Sequence, residues 1–379
     1  MRFAHISDLH IGKRFNEFSL YEDQEYILGK IINIIDENSV EGLIIAGDVY
    51  DKSVPSGEAV TLLDNFLVAI AKRRIPVFMI SGNHDSGERL AFGGRLLDAS
   101  GIYISPVYNG EAYHVTLDDK FGKINIYMLP FIKPSNVKRY YENEINSYTD
   151  AIKTVIDSMN INENERNILI THQFVTGATR SESEDISVGG SDNVDASVME
   201  MFDYVALGHI HKPQTCGKDY IRYSGTPLKY SFSEAGDKKS VTIIELNEKN
   251  NLKIDTVPLI PLRDVVELRG TYEELTERSF YEGTTYRDDY VRITLTNEED
   301  VVDAISKLRL IYKNLARLDY DNKRTRENQS IEMLNEVQEK TPLELFSRLY
   351  EMQSNKELSG EQEAYIKEQI ERVWEDREK

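Results

Sequence analysis

Five short segments hold most of the groups in this sequence that could bind a metal or move a proton. They are Asp8-Leu9-His10, Gly47-Asp48-Val49-Tyr50-Asp51, Gly82-Asn83-His84-Asp85, Thr171-His172-Gln173 and Gly208-His209-Ile210-His211. All but His114 of the seven histidines fall inside these segments or just before the first. Each segment alone is weak, because D-x-H and H-x-H pairs arise by chance and a single histidine at a strand end is more often structural. The set is stronger. Carboxylate, carboxamide and imidazole donors together suit Mn²⁺, Fe²⁺ or Zn²⁺ rather than Ca²⁺, and the lack of thiolates argues against a closed structural zinc. A binuclear divalent-metal site is the chemistry these residues imply. Alternation along a strand would send His209 and His211 to the same side, where both could reach one metal.

Such groups need a frame, and the apolar pattern supplies one. Phe3–Ile6, Leu43–Ala46 and Pro76–Ile80 read as strands, each ending at one of the donor segments. Between them, residues 22–38 carry Ile27, Leu28, Ile31, Ile32 and Ile35 at helical spacing, and 57–74 read as a second helix. This β-α-β-α-β order predicts a largely parallel, helix-covered sheet, with donors at the strand ends where such sheets bind ligands. Further strands are expected at Ile124–Leu129, Asn167–Thr171, Tyr204–Leu207, Tyr220–Tyr223 and Val241–Leu246, so an α/β core of two sheet layers fits better than one open sheet. V-P-L-I-P-L at 257–262 marks a boundary. Beyond it, Val265–Leu268, Tyr272–Phe280, Tyr290–Leu295 and Val301–Leu315 alternate strand, helix, strand, helix. That suggests three parts: a core over 1–262, a small α+β domain over 263–320, and a linker with C-terminal helices over 321–379.

Composition narrows the partners. The 379 residues carry 45 basic and 65 acidic side chains, a net charge of −20, which opposes autonomous binding to DNA or to an anionic membrane. No apolar run is long enough to span a bilayer. With one cysteine, Cys216, an intramolecular disulfide is excluded. The opening M-R-F-A-H-I-S-D lacks the apolar stretch of an export signal, so the expected location is cytoplasmic. Several residues have plainer explanations. His5 reads as a core histidine, His114 as a solvent-facing strand residue, and Cys216 as a loop residue with no role.

The ordered series D-x-H, G-D, G-N-H-D, H, G-H-x-H resembles that of the calcineurin-like metallophosphoesterases. S-D-L-H-I-G-K (7–13), S-G-N-H-D-S-G-E-R-L (81–90), G-G-S-D-N-V-D (189–195), F-D-Y-V-A-L-G-H-I-H-K-P-Q (202–214) and P-L-E-L-F (342–346) narrow the likeness. They resemble the branch that serves as the nuclease component beside an SMC-type ATPase in DNA repair and recombination. The resemblance implies a two-layered β-sheet metallophosphoesterase core flanked by helices, a DNA-recognition capping domain, and a C-terminal helix-loop-helix that docks the ATPase. It assigns Asp8, His10 and His211 to a first metal and Asn83, His172 and His209 to a second, with Asp48 bridging. The metals would be two divalent ions, Mn²⁺ by the same resemblance, activating a water for phosphodiester hydrolysis. His84, expected to point away from Asn83, would protonate or stabilise the leaving oxygen. Asp85 would orient a neighbour or stabilise a turn. Asp51 stands where archaeal and eukaryotic relatives tend to carry a histidine.

The expected activities are exonuclease on duplex ends and endonuclease on hairpin or single-stranded DNA, in a homodimer within a heterotetramer. The alternatives are a stand-alone metallophosphoesterase acting on a small phosphodiester or phosphoprotein, and a non-catalytic scaffold, which the complete ligand set disfavours. Lys229 and Lys323-Arg324-Thr325-Arg326 are either phosphate contacts or solvated charge. In the C-terminal part, Thr341-Pro342-Leu343-Glu344 and Ser359-Gly360-Glu361-Gln362 read as capping boxes. Leu345, Phe346, Leu349 and Tyr350, then Ile366, Ile370, Val373 and Trp374, form the apolar faces of the two helices, which dock on the ATPase or fold back on the core.

Overall fold

Strand alternation sets the layering. In the strand Gly42–Ala46, Leu43 and Ile45 point to one side and Ile44 and Ala46 to the other, and all four are buried. A strand apolar on both faces needs a cover on each, and here helices cover one face while a second sheet covers the other. The computed structural model describes residues 1–181, 184, 192–323 and 325, with scattered positions between 343 and 367.

The first sheet runs, in spatial order, Leu252–Pro258, Ser240–Leu246, Arg2–Ile6, Gly42–Ala46, Val77–Ile80 and Ile102–Ile104. Its four strands from Arg2–Ile6 onward are parallel, and the two late strands pair antiparallel at one side. Helix α1 (Tyr21–Glu37) and helix α2 (Gly57–Lys72) cover its outer face. α1 buries Ile27, Leu28, Ile31, Ile34 and Ile35, so Ile34 rather than Ile32 completes its stripe. α2 starts where the Ser56 hydroxyl accepts from Ala59 N–H, satisfying one of the free donors of a helix start.

The second sheet has the order Gln214–Cys216, Lys218–Tyr223, Tyr204–Gly208, Arg166–His172, Gly122–Leu129 and Tyr113–Asp119. Phe3, Ile44, Phe78, Ile126, Ile168, Ile170 and Ala206 fill the space between the two sheets. The sequence-based expectation of a two-layered α/β core with flanking helices is borne out. Because Ile170 is fully buried in that inter-sheet layer, Ile170→Ala should cost ~2–5 kcal/mol. Urea unfolding measures this, and an unchanged midpoint would contradict the packing described.

A third sheet has three strands, Val265–Gly270, Tyr290–Leu295 and Asn314–Tyr320. Here the expected helix Val301–Leu315 shrinks to Ala304–Arg309. The N–H groups of Ile311 and Tyr312 both donate to the Leu308 carbonyl, closing the helix in a turn, and the chain then joins the sheet. Only Ala304 and Leu308 of that helix reach the core, while Val302 and Leu310 are exposed, so the apolar run is not one helical face. The expected helix Tyr272–Phe280 breaks at Glu277, whose backbone is extended, into Tyr272–Thr276 and Arg278–Tyr281. Cys216 ends a strand and is buried, rather than lying in a loop. The helix Tyr148–Ser158 went unforeseen despite the S-Y-T-D capping box at Ser147–Asp150.

The chain divides into two compact units. One comprises Met1–Arg269, Glu273–Thr294 and Asp303–Asp319, and the other Gly270–Tyr272, Leu295–Val302 and Tyr320–Lys379. In the second unit the expected box at Ser359 forms: Ser359 N–H donates to Gln362 Oε1 at 3.0 Å, and Gln362 N–H to Ser359 Oγ at 3.4 Å. The box at Thr341, and Leu345, Leu349, Ile370, Val373 and Trp374, lie outside the described residues, as do Arg324, Arg326 and the glycines at 189–190. No helix among the described residues is long and apolar enough to cross a membrane.

Candidate metal centre

Each donor segment leaves the end of a strand, and backbone hydrogen bonds lock the segments together. Asp8 N–H donates to the Gly47 carbonyl at 3.0 Å, His10 N–H to the Asp48 carbonyl at 2.9 Å, and Ile11 N–H to the Val49 carbonyl at 2.9 Å. The Asp85 carboxylate accepts from Val49, Tyr50 and Gly82 N–H at 3.1, 2.9 and 2.9 Å. It thereby ties the loop bearing Asp48 to the loop bearing Asn83. Burial, followed by the nearby Asp48 charge, lifts its pKa to about 6. Two glycines permit the approach. A Cβ on Gly82 would collide with the Asp48 carboxylate, and one on Gly208 with the Ala46 carbonyl.

The backbone is strained where the donors sit. Asp8, His10, Asp48 and His209 have φ of 53°, 43°, 47° and 103°. Left-handed backbone in a residue other than glycine costs of order ~1–3 kcal/mol, less for Asp, and persists only where the surroundings over-determine it. These turns aim side chains inward that a regular strand would have sent elsewhere.

The donor atoms converge. Those of Asp8, His10 and His211 lie within 4.8 Å of one another, as do those of Asp8, Asp48 and His172, and of His10, Asp48 and His84. His10 Nε2 is 3.2 Å from His211 Nε2. The Asn83 carboxamide oxygen is 3.0 Å from both His172 Nε2 and His209 Nδ1. Asp48 Oδ2 lies between, 3.7 Å from His10 Nε2 and 3.4 Å from His172 Nε2. Donors on adjacent corners around a cation with ~2.1 Å bonds are about 3 Å apart, so this spacing fits two divalent ions flanking Asp48.

All eight predicted site residues meet here, but two do so by a route the sequence did not show. His209 and His211 lie beyond the strand, which ends at Gly208, and the positive φ at His209 turns its ring to Asn83 while His211 faces His10. They reach opposite ends of the cluster, not one metal by alternation. Asn83 and His84 likewise sit in a bend, and both face inward. His84 Nε2 is 3.9 Å from Asp48 Oδ2, its ring stands edge-on to His10, and with 23% exposure it is far more open than His10 at 1%.

The electrostatics suit cation binding. Burial pushes His10 well below its ordinary pKa and His209 down to about 3, leaving both as the neutral imidazoles that ligate metal. Burial also opposes charge on His172, but the facing Asp48 outweighs it and holds His172 at about 9. Asp48, despite its own burial, is kept well below the carboxylate range by His172. A divalent cation between the two would take the proton's place. The Nδ1 of His172 donates to the Ala46 carbonyl at 2.9 Å, which leaves Nε2 turned to the cluster.

Two carboxylates at the site escaped the sequence-based expectations. Glu234 is fully buried, 3.5 Å from His211 Nδ1 and 2.6 Å from Lys239 Nζ. Glu184 accepts from His211 N–H at 2.6 Å. No local spacing marks either one. Asp51 pairs with Lys13 at 2.7 Å and lies 3.9 Å from His10 Nδ1. Beside Asn83 and His209 opens a cleft of about 750 Å³ lined by Phe131, Phe174, Lys133 and Asn136.

Residues 1–213 match the calcineurin-like phosphoesterase family. The chain belongs to that family. Residues 261–354 of this phosphoesterase match a second family, the type 5 capsule protein repressor C-terminal domain. Its sequence is 34% identical to SbcD of the nuclease SbcCD from Staphylococcus epidermidis, over 84% of this chain and 85% of that one. Similar solved structures include a dimetal phosphatase from Danio rerio, 10% identical with a TM-score of 0.43 over 69% of this chain and 96% of that one. A Thermus thermophilus protein is also 10% identical, with a TM-score of 0.39 over 67% of this chain and 98% of its own.

Proposed function

We propose that this phosphoesterase is a metal-dependent DNA nuclease, the counterpart of SbcD in an SbcCD-type ATPase–nuclease complex of DNA repair and recombination. What carries the reading is the complete convergent donor set in a chain similar to SbcD of nuclease SbcCD over most of both lengths. Asp8, His10 and His211 would hold a first cation, Asn83, His172 and His209 a second, and Asp48 would contribute to both. The mixed N/O donors suit Mn²⁺, Fe²⁺ or Zn²⁺ alike, and the family resemblance favours Mn²⁺. When bound, the cations would supply an acidified water as nucleophile and would neutralise charge on the phosphoryl oxygens, which a chain of net charge −20 could not do with its own side chains.

The protein's part is to place these groups. Nδ1 of His84 lies 3.3 Å from the Asp51 carbonyl, and donation there leaves Nε2 toward the cluster. Protonated, Nε2 delivers a proton to the leaving ribose oxygen. The cleft beside His209 offers a cation, Lys133, and two aromatic rings to the strand flanking the cut. Residues 263–320 form the DNA-recognition part, and 321–379 the linker and helices that dock an SbcC-like SMC-type ATPase. A homodimer within a heterotetramer is part of the same proposal. A cytoplasmic site of action accords with this role.

The deciding assay compares Mn²⁺-dependent cleavage of a blunt duplex and a hairpin, with and without the cognate ATPase, against a chromogenic phosphodiester. Hydrolysis of the chromogenic ester with neither DNA substrate cut under any condition would favour a stand-alone phosphoesterase. Truncation after Ser330 should leave chromogenic-ester hydrolysis near wild type but abolish co-purification with the ATPase and ATP-stimulated duplex cleavage. Continued co-purification would overturn the docking assignment.

A further inference from the structure

Gln24 stands on the first turn of α1, where its neighbour Asp23 meets a different set of partners. Both side chains are buried. Gln24 Nε2 donates to the His10 carbonyl at 2.8 Å and the Leu9 carbonyl at 3.3 Å, and Gln24 Oε1 accepts from Gly12 N–H at 2.9 Å. Its amide therefore clamps three points of the turn that bears His10, a residue held at φ 43°. Tyr230 reinforces the clamp: its hydroxyl donates to the Leu9 carbonyl at 2.5 Å and its ring stands edge-on to His10 at 5.6 Å. Asp23 accepts from the Tyr290 hydroxyl at 2.9 Å and from Arg263 Nη1 at 2.7 Å, while Arg263 Nη2 reaches Glu22 at 2.6 Å. Phe15 and Phe18 pack on the Tyr290 ring at 5.4 and 5.7 Å. A short, buried chain of contacts thus runs from Tyr290 of the three-stranded sheet through the α1 start to the His10 turn.

We propose that Gln24 is a positioning residue for the cation site of Asp8, His10 and His211, and that Arg263 and Tyr290 brace it through Asp23. This rests on the two-cation reading above. The asymmetry in the contacts is what makes it specific. The Gln24 amide touches the His10 turn and the Tyr230 hydroxyl, whereas His172 is fixed by the Ala46 carbonyl and the His209 backbone by Asp8, neither of which involves α1. Removing the Gln24 amide takes away part of what over-determines this strained turn, and His10 then loses its aim while Asn83, His172 and His209 keep theirs.

Titration of Mn²⁺ into the metal-free full-length chain by calorimetry provides the test. Wild type binding fewer than two cations would overturn the two-cation reading itself, and that result is obtained before any variant is made. Given two, Gln24→Leu should weaken one site by ~10-fold or more and leave the other within about twofold, the range seen for groups that orient metal ligands. Gln24→Glu, which keeps the Gly12 contact and loses the donors, should show the same one-site loss; it decides the matter if the leucine variant does not fold. Tyr290→Phe, which removes only one contact of the brace, should weaken the same site by a smaller factor. Both sites unchanged in the Gln24 variants, or both weakened alike, would overturn the proposal. An unchanged affinity in Tyr290→Phe would overturn the bracing role of the sheet.

Discussion

Asp48→Ala should lose both cations together and lower phosphodiester hydrolysis by ~10³-fold or more. The carboxylate lies between the two halves of the cluster, 3.7 Å from His10 and 3.4 Å from His172, so its removal strips a donor from each side at once. Charge stabilisation by bound metal is worth several kcal/mol, and each ~1.4 kcal/mol is a factor of ten in rate. The loss should be more than subtractive. His172, left with Asp8 as its remaining nearby carboxylate, loses the main partner that holds its pKa at about 9 and shifts toward the neutral form. Stability should respond to pH in the same sense. A histidine whose folded pKa is raised stabilises the metal-free fold below its ordinary value near 6.5, and that contribution fades as pH rises toward 9. In Asp48→Ala this pH dependence should weaken, since Asp8 and the Ala46 carbonyl still favour the charged imidazole. Metal analysis, turnover and melting curves of the metal-free protein across pH 6 to about 9.5 check all three statements. Retention of one full equivalent of cation would remove Asp48 from its shared position.

His84→Ala should behave in the opposite way, keeping both cations while turnover falls by ~10²–10⁴-fold, the range of a general acid or base. His84 differs from the other imidazoles in being 23% exposed and in holding only an outer place, 3.9 Å from Asp48. Its backbone N–H, not its ring, donates to Asp48 Oδ1 at 2.9 Å, and the alanine variant preserves that bond. The Asp48 loop should therefore stay in position. Because the defect would lie in protonating the leaving oxygen, a substrate with an acidic leaving group, such as a nitrophenyl ester, should suffer much less than DNA. Loss of metal, or an equal loss with both substrates, would remove the proton-transfer role from His84.

The types of donor were legible without coordinates because metal chemistry depends on which atoms are offered, and those are written residue by residue. The frame was legible for a similar reason. The stripe of α1 and the apolar runs at 43–46 and 77–80 are local patterns, and a strand apolar on both faces already demands cover on both. The helix around 301–315 misled because Val302 and Leu310 are spaced as a helical face yet point to solvent, and a turn onto the Leu308 carbonyl closes the helix at Arg309. The opposed directions of His209 and His211 were also out of reach, since φ at His209 is set by packing against Ala46 and Asp8, both far away along the chain. Glu234 behind His211, Glu184 on its backbone and Gln24 beneath His10 carry no spacing signal at all. Each is recruited by a contact between separate chain segments, and a one-dimensional pattern records periodicity along the chain but not which buried polar group will need a partner from elsewhere. Residue type and local period thus determined what this protein could bind and on what kind of sheet. Tertiary packing alone decided where each donor points, because the left-handed turns that aim them are unfavourable locally and exist only under the pressure of the surrounding fold.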